Sequence, residues 1–364
     1  MNVQDKLQVA EREINDALVE RDVEIRLVLI AMLARCHVFL GGVPGLGKTQ
    51  LAEFVGRLIG GSKFQVLMNR NTDPDELFGP VSCRELFDND ELVRKVEGFL
   101  PTANVAILDE IFNASPAINN SILRILNEGV YTCGKQTVEC KLNLAIAASN
   151  RYPDPEEGLD ALWDRFLLRR HVEPVVSPDG LERLTWGELS YNPTVTVSIP
   201  ELLDAASAVD EIAFGADARV KFEKILTELE DKGISVSNRR RRKLPQLCRA
   251  AAYLNGHSEV EADDLDVLQH AIWTDPEDAD KVLRVVAKVA SPSDSAIKDL
   301  LKDATEAVSG HDMSVLSEAS EASEKLQNIH TRLGALPESS KRDAASDRIK
   351  AMLKDIRDAA LANL

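Results

Sequence analysis

The chain has 364 residues, 44% of them hydrophobic and 28% charged, with a formal net charge of -17. This describes an ordinary soluble protein with room for two or three domains. The acidic balance argues against a protein whose main business is coating nucleic acid, which relies on clustered Lys and Arg, although a local basic groove is compatible with it.

The start, MNVQDK, lacks the basic stretch and apolar core of a secretory signal. The longest early apolar run, LVLIAMLA at 27–34, falls far short of the ~20 residues that span a bilayer. Cys36, Cys83, Cys133, Cys140 and Cys248 are scattered, with no C-x-x-C, and read as reduced thiols. The expectation is a cytoplasmic protein without membrane insertion.

In chain order, Val9, Ile14 and Leu18, then Val23, Leu27, Ile30 and Met32, recur at helical spacing and predict two helices within 1–35. A buried strand follows at 36–40. Next, GVPGLGKT from Gly42 to Thr49 matches G-x-x-x-x-G-K-[ST] between that strand and a helix predicted over 49–59. Gly60-Gly61 ends the helix, and 64–68 reads as a second strand. Strand, helix, strand at this spacing predicts a parallel sheet covered by helices.

The expected nucleotide-binding residues are Gly42, Val43, Pro44, Gly45, Leu46, Gly47, Lys48, Thr49 and Gln50. Backbone N–H groups of such a loop, with the helix N-terminus behind them, form an anion site. Lys48 reaches the β- and γ-phosphates, and the Thr49 hydroxyl ligates Mg²⁺.

A third strand, predicted at 105–108, ends at Asp109-Glu110. An aspartate at a strand's carboxyl end beside the loop can hold Mg²⁺ through its waters. The adjacent Glu110 can orient and deprotonate the attacking water, which turns a binder into a hydrolase. That pair argues against a kinase or a small switch GTPase. A helix is predicted at 117–127, a hairpin at 131–140 around Gly134-Lys135, and a fourth strand at 142–147. Asn150, just past that strand, is placed to hydrogen-bond the water or the γ-phosphate.

Asp164-Arg165-Phe166 lies in the amphipathic run ALWDRFLL, 161–168, followed by Arg169 and Arg170. An arginine here can reach a neighbouring subunit's γ-phosphate and neutralise transition-state charge. The bland alternative is a surface ion pair with Asp160 or Asp164. From Pro200 only helices are predicted, at 200–213, 217–231, 238–254 and 261–273. NRRRRK, 238–243, sets five cations against a helix dipole. It predicts an anionic partner: the γ-phosphate for Arg239, with acidic groups or solvent for the others, and nucleic acid as the rival reading. Beyond Pro276 lies a low-aromatic helical tail broken at Ser291-Pro292, Gly310, Gly334 and Pro337. Its apolar faces are Ile297, Leu300, Leu301, Ala304, Val308; Leu316, Ala319, Leu326, Ile329, Leu333; and Ile349, Met352, Leu353, Ile356, Ala360.

Taken together, GVPGLGKT, ILDE (107–110), AASN (147–150), LWDRF (162–166) and SNRR (237–240) resemble the MoxR family of AAA+ ATPases. TDPDELFGP (72–80) and ANVAILDEI (103–111) look most like its RavA branch. The resemblance, over about residues 5–275, implies an α/β fold: a P-loop AAA+ core of parallel sheet flanked by helices, with a helical lid. It also implies a homohexameric ring with ATP at subunit interfaces. By motif matching, Asp109 and Glu110 are the Walker B pair, Asn150 sensor 1, Arg165 the finger (Arg169 and Arg170 being the others in reach) and Arg239 sensor 2. An insertion at about 79–102 and a hairpin at about 130–142 line or cap the pore in relatives, and are candidate client contacts.

The domains expected are a nucleotide-binding core at 1–175, a linker at 176–199, a lid at 200–275 and a helical extension at 276–364. The extension departs from RavA-type relatives, which carry a β-containing domain there. It is either a helical hairpin on its own lid or a docking surface for a partner, in this family often a von Willebrand factor A domain protein. The function implied is an ATP-driven, chaperone-like motor acting on a protein client. A nucleic-acid motor resembling the minichromosome-maintenance helicases, and a nucleotide-gated scaffold, are the alternatives.

Overall fold

The computed structural model describes residues 1–187, 189–309, 316–336 and 340–361. At its centre five parallel strands form one sheet: β1 (His37–Gly41), β2 (Lys63–Leu67), β3 (Val105–Asp109), β4 (Leu144–Ser149) and β5 (Phe166–His171). Their spatial order is β2-β3-β4-β1-β5. β4 is buried at every position, as expected of a strand covered on both faces. β2, at the sheet's edge, buries only Phe64 and Val66, alternating with exposed Lys63, Gln65 and Leu67.

Register fixes where the chemistry can sit. Gly41 pairs with Ser149 and with His171, and Asp109 pairs with Ala148. The carboxyl ends of β1, β3, β4 and β5 therefore share one edge of the sheet. The chain turns to opposite sides of β1, which makes the crevice outside that edge the expected ligand position.

Val3–Ala17 and Asp22–Leu33 are both helical. The second is apolar nearly all round because the sheet lies on one side of it and lid helices on the other. The helix Pro116–Glu128 starts at Ser115, whose hydroxyl accepts from Ile118 N, and stops at Gly129 in the left-handed region. The expected hairpin pairs Val130–Cys133 with Gln136–Glu139.

The run 161–168 does not form one amphipathic element. It divides into a single helical turn, Asp160–Trp163, and the start of β5. A strand was not legible there because Arg169 and Arg170 interrupt the apolar pattern. Tertiary packing overrides it, since Arg169 is fully buried among aromatic rings.

The segment 176–199 is more than a linker, for it holds the helix Pro178–Trp186. Glu20 anchors that helix by accepting from Val176 N and Ser177 N, both at 3.1 Å. The helices Ile199–Glu211, Ala216–Glu230 and Asn238–Asn255 occupy the stretch expected to form the lid. In place of a helix at 261–273, Asp263–His270 is a 3-10 stretch. Buried Asp264 accepts from Asn255 Nδ2 at 2.6 Å and Glu261 N at 2.8 Å, local bonds that compete with regular helix.

Ala279–Ala290 packs into the same core as the lid through Val282, Val285, Val286 and Val289. The change of core therefore falls at Ser291-Pro292, later than the division expected at 275. Beyond it, Pro292–Ser309, Leu316–Gly334 and Ser340–Leu361 enclose a second core of Ile297, Leu300, Ala304, Leu326, Ile329, Leu333, Ile349 and Ile356. Three helices replace the hairpin. Gly310 and Pro337 lie outside the described residues, as do the side chains of Leu316, Ala319 and Ala360.

Candidate nucleotide site

The loop leaving β1 needs its glycines for stated reasons. Gly42 has φ 138°, and a Cβ there would sit 2.7 Å from Val172 O. Gly47, at φ 77°, is the residue from which the helix Lys48–Leu58 departs in a left-handed conformation. That leaves the first N–H groups of the helix pointing into the crevice. Lys48 is buried, and its Nζ donates to Gly42 O and, at 3.3 Å, to Ser149 O. Burial lowers its pKa below the ordinary lysine value, against the opposing pull of Asp109 and Glu110.

Thr49 Oγ1 donates to Asp109 Oδ2 at 3.2 Å. A hydroxyl and a carboxylate oxygen brought together beside the phosphate loop form a hard-oxygen pair suited to Mg²⁺. Glu110 follows at φ 53°, a left-handed conformation that non-glycine residues hold at a cost. Its N–H donates to Asp109 Oδ1 at 3.0 Å. Its carboxylate oxygen Oε2 accepts from Ser149 Oγ at 3.2 Å and Asn113 Nδ2 at 3.3 Å. Arg151 ties these two holders together, its N–H donating to Ser149 Oγ and its Nε to Asn113 Oδ1. Asn150 is exposed at the same strand end.

Ser149, Asn113 and Arg151 were not singled out from sequence. Their only signal was proximity to Asp109-Glu110 and Asn150. Arg21 was missed as well. It is buried, and its Nε donates to Leu46 O at 3.0 Å, bracing the back of the loop.

The arginines behave differently from one another. Arg169 is inside the protein: Nε donates to Phe166 O at 3.0 Å, Nη2 to Trp163 O at 2.8 Å and Nη1 to Trp273 O at 2.6 Å. Its guanidinium lies 3.9 Å from the Trp163 ring centre. Arg170 is paired with Glu24 at 3.0 Å. Both are engaged within their own chain. Removing Arg169 would orphan three buried carbonyls and a cation–π contact. Arg169→Ala should therefore lose about 3 kcal/mol or more of stability, measured by chemical denaturation.

Arg165 precedes Phe166, and Phe166 pairs with His37 at the amino end of β1. It thus lies at the opposite sheet edge from the phosphate loop, one strand or about 16 Å away at ~3.3 Å per residue. Arg239 joins it there, with Nη2 donating to Asn127 Oδ1 at 2.7 Å and Nη1 3.9 Å from Asp164 Oδ2. The other cations of 238–243 find partial compensation. Arg240 is buried with Nη1 on Thr274 Oγ1 at 2.8 Å, and Arg241 pairs with Glu223 and Glu230.

The insertion and the hairpin pack together. Arg94 N donates to Gln136 Oε1 at 2.9 Å, and Gln136 Nε2 donates back to Arg94 O at 3.0 Å. On the insertion's helix, Cys83–Asn89, Phe87 is 83% exposed with Leu86 beside it.

Comparison with known proteins places this arrangement. Residues 5–208 match the family model described as the MoxR domain of MoxR-vWA-beta-propeller ternary systems. The chain belongs to the MoxR family of AAA+ ATPases. Residues 219–286 match an AAA lid domain. An uncharacterised Methanocaldococcus jannaschii protein is 35% identical over 78% of this chain and 76% of its own length. The chaperone MoxR1 of Mycobacterium tuberculosis is 28% identical over 44% and 42% respectively. A solved chain from Cytophaga hutchinsonii superposes with TM-score 0.62 at 18% identity, covering 79% of this chain and 94% of that one, which speaks to fold alone. The RavA branch is not distinguished by these matches.

Proposed function

We propose that this MoxR-family chain hydrolyses ATP at sites completed between neighbouring copies, and uses the cycle as a chaperone-like motor on a protein client. The observation that carries the proposal is the separation of Arg165 and Arg239 from their own phosphate loop by the length of a strand. Two arginines that cannot reach the γ-phosphate in their own chain can reach it in the next copy of a head-to-tail ring, and a hexamer is the expected form.

In this reading residues 42–50 hold ATP, with Lys48 on its β- and γ-phosphates. Thr49 and Asp109 would hold Mg²⁺, which when bound would offset phosphate charge. Glu110, aimed by Ser149 and Asn113, accepts the proton of the attacking water. Asn150 orients that water or touches the γ-phosphate. Arg165 and Arg239 of the next copy neutralise the charge that develops as the bond breaks.

The family description supports a von Willebrand factor A domain protein as partner. Exposed Phe87 and Leu86 on the insertion suit an apolar client segment. Among the described residues no helix is long and apolar enough to cross a membrane. The test is ATP hydrolysis against protein concentration. Specific activity should rise through the assembly range and then level off. Equal activity per chain in a demonstrably monomeric sample would contradict completion between copies.

A further inference from the structure

Asp164 stands where the core meets the lid, and it is the carboxylate that three guanidiniums share. Arg165 Nη1 lies 3.8 Å from Asp164 Oδ2, Arg239 Nη1 3.9 Å from the same oxygen and Arg240 Nε 3.8 Å from Oδ1. Arg165 comes from the core; Arg239 and Arg240 come from the lid helix Asn238–Asn255. All three distances exceed hydrogen-bonding range, so the carboxylate neutralises the group without satisfying its donors. Arg165 Nε, Arg165 Nη1 and Arg240 Nε are buried without a hydrogen-bond partner. Arg240 is only 4% exposed. Buried donors in that condition are destabilising until an acceptor arrives.

The surroundings lock the two halves of this cluster in place. Trp163 Nε1 donates to Thr274 O at 3.0 Å, Arg240 holds Thr274 Oγ1, and Arg169 holds Trp273 O. The turn that ends in Asp164 is thereby tied to the 273–274 segment of the lid. Burial draws the pKa of Arg240 down to about 10 against the attraction of Asp164, which leaves it charged at neutral pH. One carboxylate facing three guanidiniums leaves an excess of positive charge at this point. Arg239, whose side chain is 41% exposed, is the member that a phosphoryl oxygen from outside can reach first.

We propose that Asp164 is a positioning residue: its carboxylate gathers Arg165 of the core and Arg239 of the lid into one anion-seeking face directed at a neighbouring copy's γ-phosphate. The inference rests on the proposed completion of the site between copies. It adds that the two arginines act as a unit whose geometry depends on how the lid sits against the core. A lid displaced from the core carries Arg239 away from Arg165 and disarms the neighbour's site, while the nucleotide loop of the same chain is untouched.

The test uses full-length Asp164→Asn, with Asp164→Glu as the conservative variant and Arg165→Ala alongside. The expected result for Asp164→Asn is a kcat lower by on the order of 10- to 100-fold, the penalty of a misplaced catalytic group. KM for ATP should stay near the wild-type value, and Asp164→Glu should recover part of kcat. Asp164→Asn mixed with Glu110→Gln should regain activity, because one variant supplies an intact Glu110 and the other an intact arginine face. Mixed with Arg165→Ala it should regain none, since both lesions sit on the same face.

Wild-type kcat in Asp164→Asn, with Arg165→Ala inactive, would overturn the inference and leave the site completed between copies. Full activity in Arg165→Ala as well would overturn both. If Asp164→Asn does not fold, Asp164→Glu decides through the same mixtures. Failure of the folded variant with reduced kcat to be rescued by Glu110→Gln would assign Asp164 to its own chain's site and overturn the inference.

Discussion

Glu110→Gln is expected to bind ATP as the wild type does and to hydrolyse it at least about 10²-fold more slowly, the usual range for loss of a positioned base. The carboxamide has the carboxylate's shape, and its oxygen can still accept from Ser149 Oγ and Asn113 Nδ2. The left-handed backbone at Glu110 is set by its neighbours and need not change. Geometry and affinity are therefore preserved, and only the capacity to take a proton is removed. Titration with a fluorescent ATP analogue and steady-state turnover separate the two effects. Turnover within tenfold of wild type would remove Glu110 as the base.

Arg165→Ala is the second large effect, and its loss should appear in activity alone. Trans-acting arginines of this kind contribute about 10³-fold or more to turnover, and kcat should fall on that scale with ATP binding retained. Stability should change by less than about 1 kcal/mol, because the side chain's Nε and Nη1 have no hydrogen-bond partner to lose. Asp164 would still have Arg239 and Arg240 beside it. Arg169→Ala, four residues along, should do the reverse, since its Nε, Nη1 and Nη2 each donate to a buried carbonyl. Parallel measurement of denaturation midpoints and turnover for the two variants checks this contrast. A stability loss in Arg165→Ala as large as in Arg169→Ala would mean that Arg165 is structural.

The glycine loop at 42–49, the Asp109-Glu110 strand end and the chain order of β1 to β4 were legible because each follows from local pattern, whereas the short helices Pro74–Phe78 and Cys83–Asn89 were not. Glycines mark the turn, apolar runs mark buried strands, and a carboxylate pair at a strand's end has few structural uses. β5 was not legible, because two arginines in a strand contradict the apolar pattern unless a cage of tryptophans and carbonyls accommodates one of them. The different surroundings of Arg165, Arg169 and Arg170 were likewise not legible, because their partners come from residues as distant in sequence as Glu24 and Trp273. Ser149 and Asn113 as holders of Glu110 are consequences of register, which periodicity does not encode. The boundary at Ser291-Pro292 was visible as a break. That it also divides two cores depended on which way the valine face of Ala279–Ala290 turned.

The central claim is that one chain lends its arginines to another chain's phosphate loop. Arg165→Ala and Glu110→Gln, each inactive alone, test it most directly when mixed before assembly in equal amounts. In a head-to-tail ring about one interface in four would pair an intact Glu110 with an intact Arg165, so activity should return to about a quarter of the wild-type value. Activity no greater than the sum of the two inactive proteins, in rings shown to contain both, would contradict the claim.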